Sequence, residues 1–329
     1  MDSNFGIYIS SPLVTFIVGP TRKEFTVHSD PLASLSSTLH CLLNGPMLEA
    51  KTHHVDWSEV VDEDTFIRLC EYAYVRDYTP PSCTERSYQT LVSASGMAEE
   101  QTEAGEWSGY SSLSITKKSK RKKKKDYCSS REPSSDQPPA ETPCENYADE
   151  LMAPEAEPEE EVAQTRDLFD GYALPYREKS IWSHHLRDKF KDLSMQYTNS
   201  YDNVLSKTKE KFAPRGNCDP KNDFTPVFLG HTKLYILADK YGIVSLADLV
   251  LGKLATTLSC FTLCEDDIGV VAELVRASYQ DTMPNDALRT LVTTYIVSVL
   301  GQIGEITGFR ELLAEGGDFV VDFWQIIWK

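Results

Sequence analysis

Histidines at positions 28, 40, 53, 54, 184, 185 and 231 are the side chains of this 329-residue chain best suited to acid–base work or metal binding near neutral pH. None stands in HExxH spacing, which would set two imidazoles on one helix face around a zinc ion. His53 and His54 border a short alternating stretch and suit an exposed strand edge. His184 and His185, with acids nearby, are the pair that leaves metal-assisted hydrolysis formally open. Cysteines occur at 41, 70, 83, 128, 144, 218, 260 and 264, and no two make a CxxC pair. Cys260 and Cys264 form a single CxxxC, too little for a zinc site without a second pair. Cys41, Cys70 and Cys260 lie in apolar periodic segments, where a reduced cysteine acts as a small hydrophobe. The chain also lacks GxSxG, GxxxxGKS and GxGxxG, and Gly216 and Gly316-Gly317 read as loop glycines. The expectation is a chain that is not an enzyme, with no catalytic residue, no cofactor and no metal.

The strongest remaining chemistry is electrostatic. Lys117, Lys118, Lys120, Arg121, Lys122, Lys123, Lys124 and Lys125 place eight positive charges in nine positions. Such a run suits a nuclear-localisation signal, or is a plain solvated charge block. No aromatic side chain is interleaved to stack on bases, so direct nucleic-acid binding is not expected. Residues 132–161 answer with eleven acids and no Lys or Arg, an opposite block whose attraction salt would weaken. The net charge of −17 disfavours nonspecific binding to nucleic acid or anionic membranes. No basic leader and no apolar run of about 18 residues occurs, so the expectation is a soluble chain, nuclear and/or cytoplasmic, with no membrane contact.

The elements that must carry these groups are legible from periodicity. Val14, Phe16 and Val18 alternate, GPTR turns the chain, and Phe25 and Val27 alternate again: a hairpin. His28-Ser29-Asp30-Pro31 then predicts one helix with Leu32, Leu35, Leu39 and Leu42 inward, ending at Asn44-Gly45-Pro46. Val55 and Trp57 mark a short third strand. Asp62, Glu63 and Asp64 precede Phe66, Leu69, Cys70 and Ala73 at helical spacing, with an end near Tyr74 to Tyr78. Residues 95–165 have the Ser, Glu, Pro, Lys and Gln composition of disorder. Trp182, Leu186, Phe190 and Leu193 predict a short amphipathic helix at 178–195, which docks back or lies in a partner's groove. Phe228 to Leu258 reads as a helix pair: Leu234, Leu237, Ala238 and Tyr241 on one stripe, Gly242 as the break, and Ser245 capping the second with Asp248. Ile268–Val275, Leu288–Val299, FRELL and DFVVDFWQIIW give further helices. The Tyr and Trp residues of this tail stand at helical spacing, which suits core more often than a partner surface.

This order resembles the BTB/POZ domain. The residues that carry the likeness are Phe25 and His28 before the first helix, Phe66, Tyr72, Tyr74 and Tyr78 around the second, and Leu237, Ala238, Tyr241 and Leu246 in the helix pair. The nearest likeness is to small fungal BTB proteins with a helical tail. The resemblance implies an α+β fold: a small mixed sheet packed with α-helices, split by a long disordered insert and followed by an all-α C-terminal extension. It places an N-terminal tail at 1–12, the first part of the domain at 13–81, the insert at 82–225, the closing helices at 226–262 and the extension at 263–329. It also implies protein partners, self-association through the first strand and first helix, and an adaptor or scaffold role. In some members that role is substrate adaptor on a cullin; the polybasic run raises a nuclear transcription- or chromatin-associated factor as another reading.

Overall fold

The computed structural model of the chain describes residues 5–86, 171–177, 182–204 and 210–328. The basic run, the acidic block and most of the segment expected to be disordered lie outside the described residues.

Alternation builds the sheet. Strands β1 (Leu13–Val18) and β2 (Lys23–His28) pair antiparallel, Phe16 opposite Phe25, and β3 (His54–Trp57) pairs parallel to β1, Phe16 beside Val55. The order β2-β1-β3 puts β1 in the middle of a small mixed sheet. Val14, Phe16, Val18, Val55 and Trp57 all point into the core, because successive side chains of a strand face opposite sides. Phe16 meets Trp57 and Phe66 with ring centroids 5.0 Å from each.

Short helices flank the hairpin. Residues 1–12, expected as a tail, contain a short helix α1 (Phe5–Ser10). The single helix expected after His28 is instead two, α2 (Ser29–Ala33) and α3 (Ser37–Asn44). The break has a local cause: Ser36 is extended and its Oγ accepts from Leu39 N at 3.2 Å, an N-cap that begins a new helix. Register shifts with it, so that Leu32, Leu39 and Leu43 are buried while Leu35 and Leu42 are only partly covered. Cys41 falls on the outer side of α3 and is exposed; Cys260 follows a helix end and is exposed too, against the expectation of apolar burial for both. A five-residue helix α4 (Leu48–Thr52) leads into β3.

Helix α5 (Glu63–Val75) starts as expected, with Asp62 accepting from Thr65 N at 2.8 Å. Beyond it, β4 (Thr84–Glu85) pairs antiparallel with β5 (Asn222–Asp223), so the stretches on either side of the intervening chain meet as neighbouring strands. The amphipathic helix is α6 (Trp182–Val204), longer than the expected 178–195. It is docked: Leu186 and Phe190 are buried, and Phe190 packs on Tyr295 with centroids 5.3 Å apart. The reading of α6 as a free partner-binding helix is overturned by that burial.

Helices α7 (Thr225–Lys240) and α8 (Val244–Ser259) form the expected pair, broken at Gly242 with φ +67°. Ser245 is not the cap. The N-cap position is Ile243, with no side-chain bond, and Ser245 Oγ instead accepts from Tyr72 OH at 2.8 Å. A 3-10 turn at Glu265–Asp267 opens α9 (Ile268–Gln280). Helix α10 (Ala287–Ser298) follows, capped by Asp286 on Leu288 N, and then α11 (Leu300–Ile303), α12 (Thr307–Glu315) and α13 (Asp318–Trp328). Helix α6 lies against α8 and α10, α9 against α7, and α13 against α10, so one apolar core runs from the sheet into the helical half.

Candidate functional site

Where α5 and its exit meet the helix pair, polar side chains are buried together. Phe228, His231, Leu234 and Ala238 share the inward face of α7; Leu246, Val250, Lys253 and Thr257 share that of α8. Helical spacing therefore drives one histidine and one lysine into the core. Lys253 has no solvent exposure, and its Nζ lies 2.5 Å from Asp77 Oδ1, 2.6 Å from the Tyr78 carbonyl and 2.9 Å from the Phe212 carbonyl. Nζ also stands 4.2 Å from the centroid of the Tyr78 ring. Asp77 is equally buried and accepts from Tyr78 N at 2.7 Å. Burial pushes the Lys253 ammonium down, and the Asp77 and Glu71 carboxylates act against that.

Tyr78 OH and His231 Nδ1 are 2.8 Å apart, and His231 Nε2 is buried with no hydrogen-bond partner. Burial first, then the positive charges of Lys253 and Arg68, lower His231 to about 3, so the imidazole is neutral at neutral pH. This cluster is a structural clasp. Lys253 holds one carbonyl from before the intervening chain, Tyr78, and one from after it, Phe212. Gly230 makes the crossing possible: a Cβ there would stand 2.5 Å from Pro81 Cγ.

A second junction lies at the 3-10 turn. Asp267 Oδ2 accepts from Cys264 N at 2.8 Å, and Asp267 Oδ1 is paired with Arg86, the last described residue before the intervening chain. Ala173, in the next described stretch, bridges Cys264 antiparallel. Burial raises the Asp267 carboxyl against the Arg86 pull and pushes the Cys264 thiol up to about 11; burial alone pushes Cys70 to about 12. Thiols of that kind stay protonated and are poor nucleophiles. Among the described residues, no three His, Cys, Asp or Glu side chains gather as a metal site, and His184 sits beside Arg187.

The residues singled out from the sequence fall into two groups. His28 Nδ1 lies 2.9 Å from Tyr74 OH, whose oxygen also accepts from His28 N, fastening the end of β2 to α5. Phe25 stacks near Phe66 at 5.2 Å. Tyr72, Tyr78, Leu237, Ala238, Tyr241 and Leu246 instead line the joint between α5 or the sheet and the helix pair; Tyr241 packs on Trp57 with centroids 4.7 Å apart. All are packing residues of one core. No sequence spacing joins Lys253 to His231, although each occupies an apolar stripe where Leu or Val would be ordinary.

Among the described residues, exposed apolar side chains include groups on α1 and on α13. Phe5, Ile7, Ile9 and Leu13, on α1 and the first residue of β1, are each more than half exposed. Tyr8 is tied down instead, its OH 3.0 Å from Arg76 Nη2, which also donates to Ser34 Oγ. At the opposite chain end Val321, Trp324 and Trp328 are exposed on α13, Trp328 by 88%, whereas Tyr295 is core. The tail aromatics therefore divide between core and surface. No helix among the described residues is long and apolar enough to cross a membrane. Set beside known proteins, the chain matches no family model, no curated protein and no solved structure.

Proposed function

We propose that this chain is a non-enzymatic protein–protein interaction module of the BTB/POZ type, which self-associates and serves as an adaptor or scaffold. The strand order β2-β1-β3, the helix α5 fastened to β2 through His28 and Tyr74, and the closing pair α7 and α8 support the likeness. The observation that carries self-association is the uncovered set Phe5, Ile7, Ile9 and Leu13 beside the hairpin. Each is already about half covered, so burying the rest contributes about half of the ~1.5–3 kcal/mol of a full burial, and a two-fold contact over the face shared by Phe5 and Ile9 would bury that pair twice. Sedimentation equilibrium tests this. The chain is expected to have twice its monomer mass, and Phe5→Glu/Ile7→Glu/Ile9→Glu the monomer mass with an unchanged unfolding temperature. A monomeric unaltered chain at tens of micromolar overturns the reading.

The charge density of Lys117–Lys125 supports a second element, nuclear import of the module. Replacing Lys120, Arg121 and Lys122–Lys125 by alanine is expected to move a fluorescently tagged chain out of the nucleus. Unchanged nuclear accumulation removes this element and leaves the interaction reading standing.

A further inference from the structure

Residues 172–177, Tyr-Ala-Leu-Pro-Tyr-Arg, cross the helical half of the molecule as an extended strap. Leu174 N donates to Leu263 O at 2.8 Å, Arg177 N donates to Gly301 O at 3.1 Å, and the Gln302 side-chain amide donates to Leu174 O at 2.8 Å. From Ala173 to Arg177 side chains alternate, Leu174 and Tyr176 half-buried and Ala173, Pro175 and Arg177 exposed, while Tyr172 ahead of them is exposed as well. That is the arrangement of a peptide held by main-chain bonds with every second side chain in a groove. Pro175 gives up no donor that the groove uses, and it biases Leu174 toward the extended backbone required.

The groove is shaped for a passing main chain. A Cβ on Gly301 would stand 2.9 Å from Arg177 O and 2.9 Å from the Tyr176 ring, so only glycine admits the strap there. Tyr176 lies against Arg187, whose guanidinium carbon is 4.2 Å from the ring centroid, and Arg177 reaches Glu305 at 2.7 Å. The strap leaves space: Leu174, Pro175, Tyr176 and Arg177 wall one part of a cleft of about 810 Å³ whose other walls include Ile268, Val297, Leu300 and Ile306. That volume is of the size that takes a ligand's side chains, and Leu174 does not fill it.

We infer that this groove is a peptide-recognition site occupied in cis by residues 172–177, and that a partner protein displaces them with an extended apolar-Pro-aromatic-Arg stretch bearing a bulkier leading side chain. Exchange of the strap between two copies of the chain would gain no contact and would lose the high local concentration of a tethered segment. A partner that fills the cleft gains contacts the strap lacks. This inference does not depend on the BTB/POZ reading, since it involves only the helical half.

The test uses the full chain and a fluorescent peptide of residues 170–178 in which the position of Leu174 carries Trp. Leu174→Ser/Tyr176→Ser should free the groove and bind the peptide at least tenfold more tightly than the unaltered chain, and adding Gly301→Val should abolish binding. Equal affinity for the unaltered and freed chains, or no binding to a freed chain that still unfolds cooperatively, overturns the proposal. So does binding that survives Gly301→Val. Hydrogen exchange on the unaltered chain is a check that needs no variant. The amides of Leu174 and Arg177 should exchange at least a hundredfold faster than those of Val250 and Leu254; equal protection would make the strap a permanent part of the core.

Discussion

Lys253 and Asp77 face each other across 2.5 Å with both side chains shut off from water. A buried pair of this kind offsets its own desolvation only while both partners are present. Lys253→Met is therefore expected to destabilise the fold by about 3–5 kcal/mol, because it leaves the Asp77 carboxylate unpaired in the core. Asp77→Leu/Lys253→Met should cost clearly less than the sum of the single changes. Urea unfolding of the four proteins checks this; additive costs would show that the two residues do not act together.

His231 gives the pH dependence. Its folded-state value of about 3 lies below the ordinary 6.5, so between those limits the unfolded chain binds the proton that the folded chain refuses. Its contribution is complete above pH 6.5 and is lost progressively as the pH falls toward 3. The expected slope is at most about 1.4 kcal/mol per pH unit for this one proton. His231→Gln should flatten the stability profile between pH 4 and 6 relative to the unaltered chain, and chemical unfolding at several pH values is the measurement.

Gly230 sets two ordinary rules against each other. Alanine in a helix interior is favoured over glycine by about 1 kcal/mol, but a Cβ here meets the Pro81 ring at 2.5 Å. Overpacking against a rigid ring costs about 1–3 kcal/mol. Gly230→Ala is expected to lower stability by up to about 2 kcal/mol in urea unfolding, whereas the same change at Gly269, which has open space around it, should not.

The joint between α5 and the helix pair predicts mutual dependence. Asp62 pairs with Lys233 at 2.8 Å, Tyr72 with Ser245, Tyr78 with His231 and Trp57 with Tyr241. A fragment of residues 1–86 is expected to stay unfolded alone, by circular dichroism, and to gain structure when mixed with residues 171–329. Cooperative unfolding of the short fragment by itself would show that its core is complete without the later helices.

Much of the framework could be read from residue order because it rests on short-range rules. Val14, Phe16 and Val18 announce their strand, Asp62 its helix, and Gly242 the break in the pair. The helix after His28 was less legible, since Leu32 to Leu42 keep one helical period while Ser36 offers a local cap that competes with continuing it. Helix α6 was legible as amphipathic, but its docking depends on Tyr295, more than a hundred positions later. The clasp was hidden for a related reason. A lysine in an apolar stripe signals a buried charge, yet nothing nearby in sequence names Asp77 and two carbonyls as its partners.

The turn at Cys264–Asp267 anchors the chain as it departs, through Arg86, and as it comes back, through Ala173. Because departure and return share one four-residue fixture, the spacing between them is set whatever length of chain runs from 87 to 170. Closing a longer loop onto fixed ends costs little, about 0.6 kcal/mol for each doubling. The stretch can thus lengthen, shorten or change its cargo of charges over generations, and a designer can graft a foreign sequence there. The core need not be rebuilt in either case. The fold is in this sense a socket, open to new passengers at a single address.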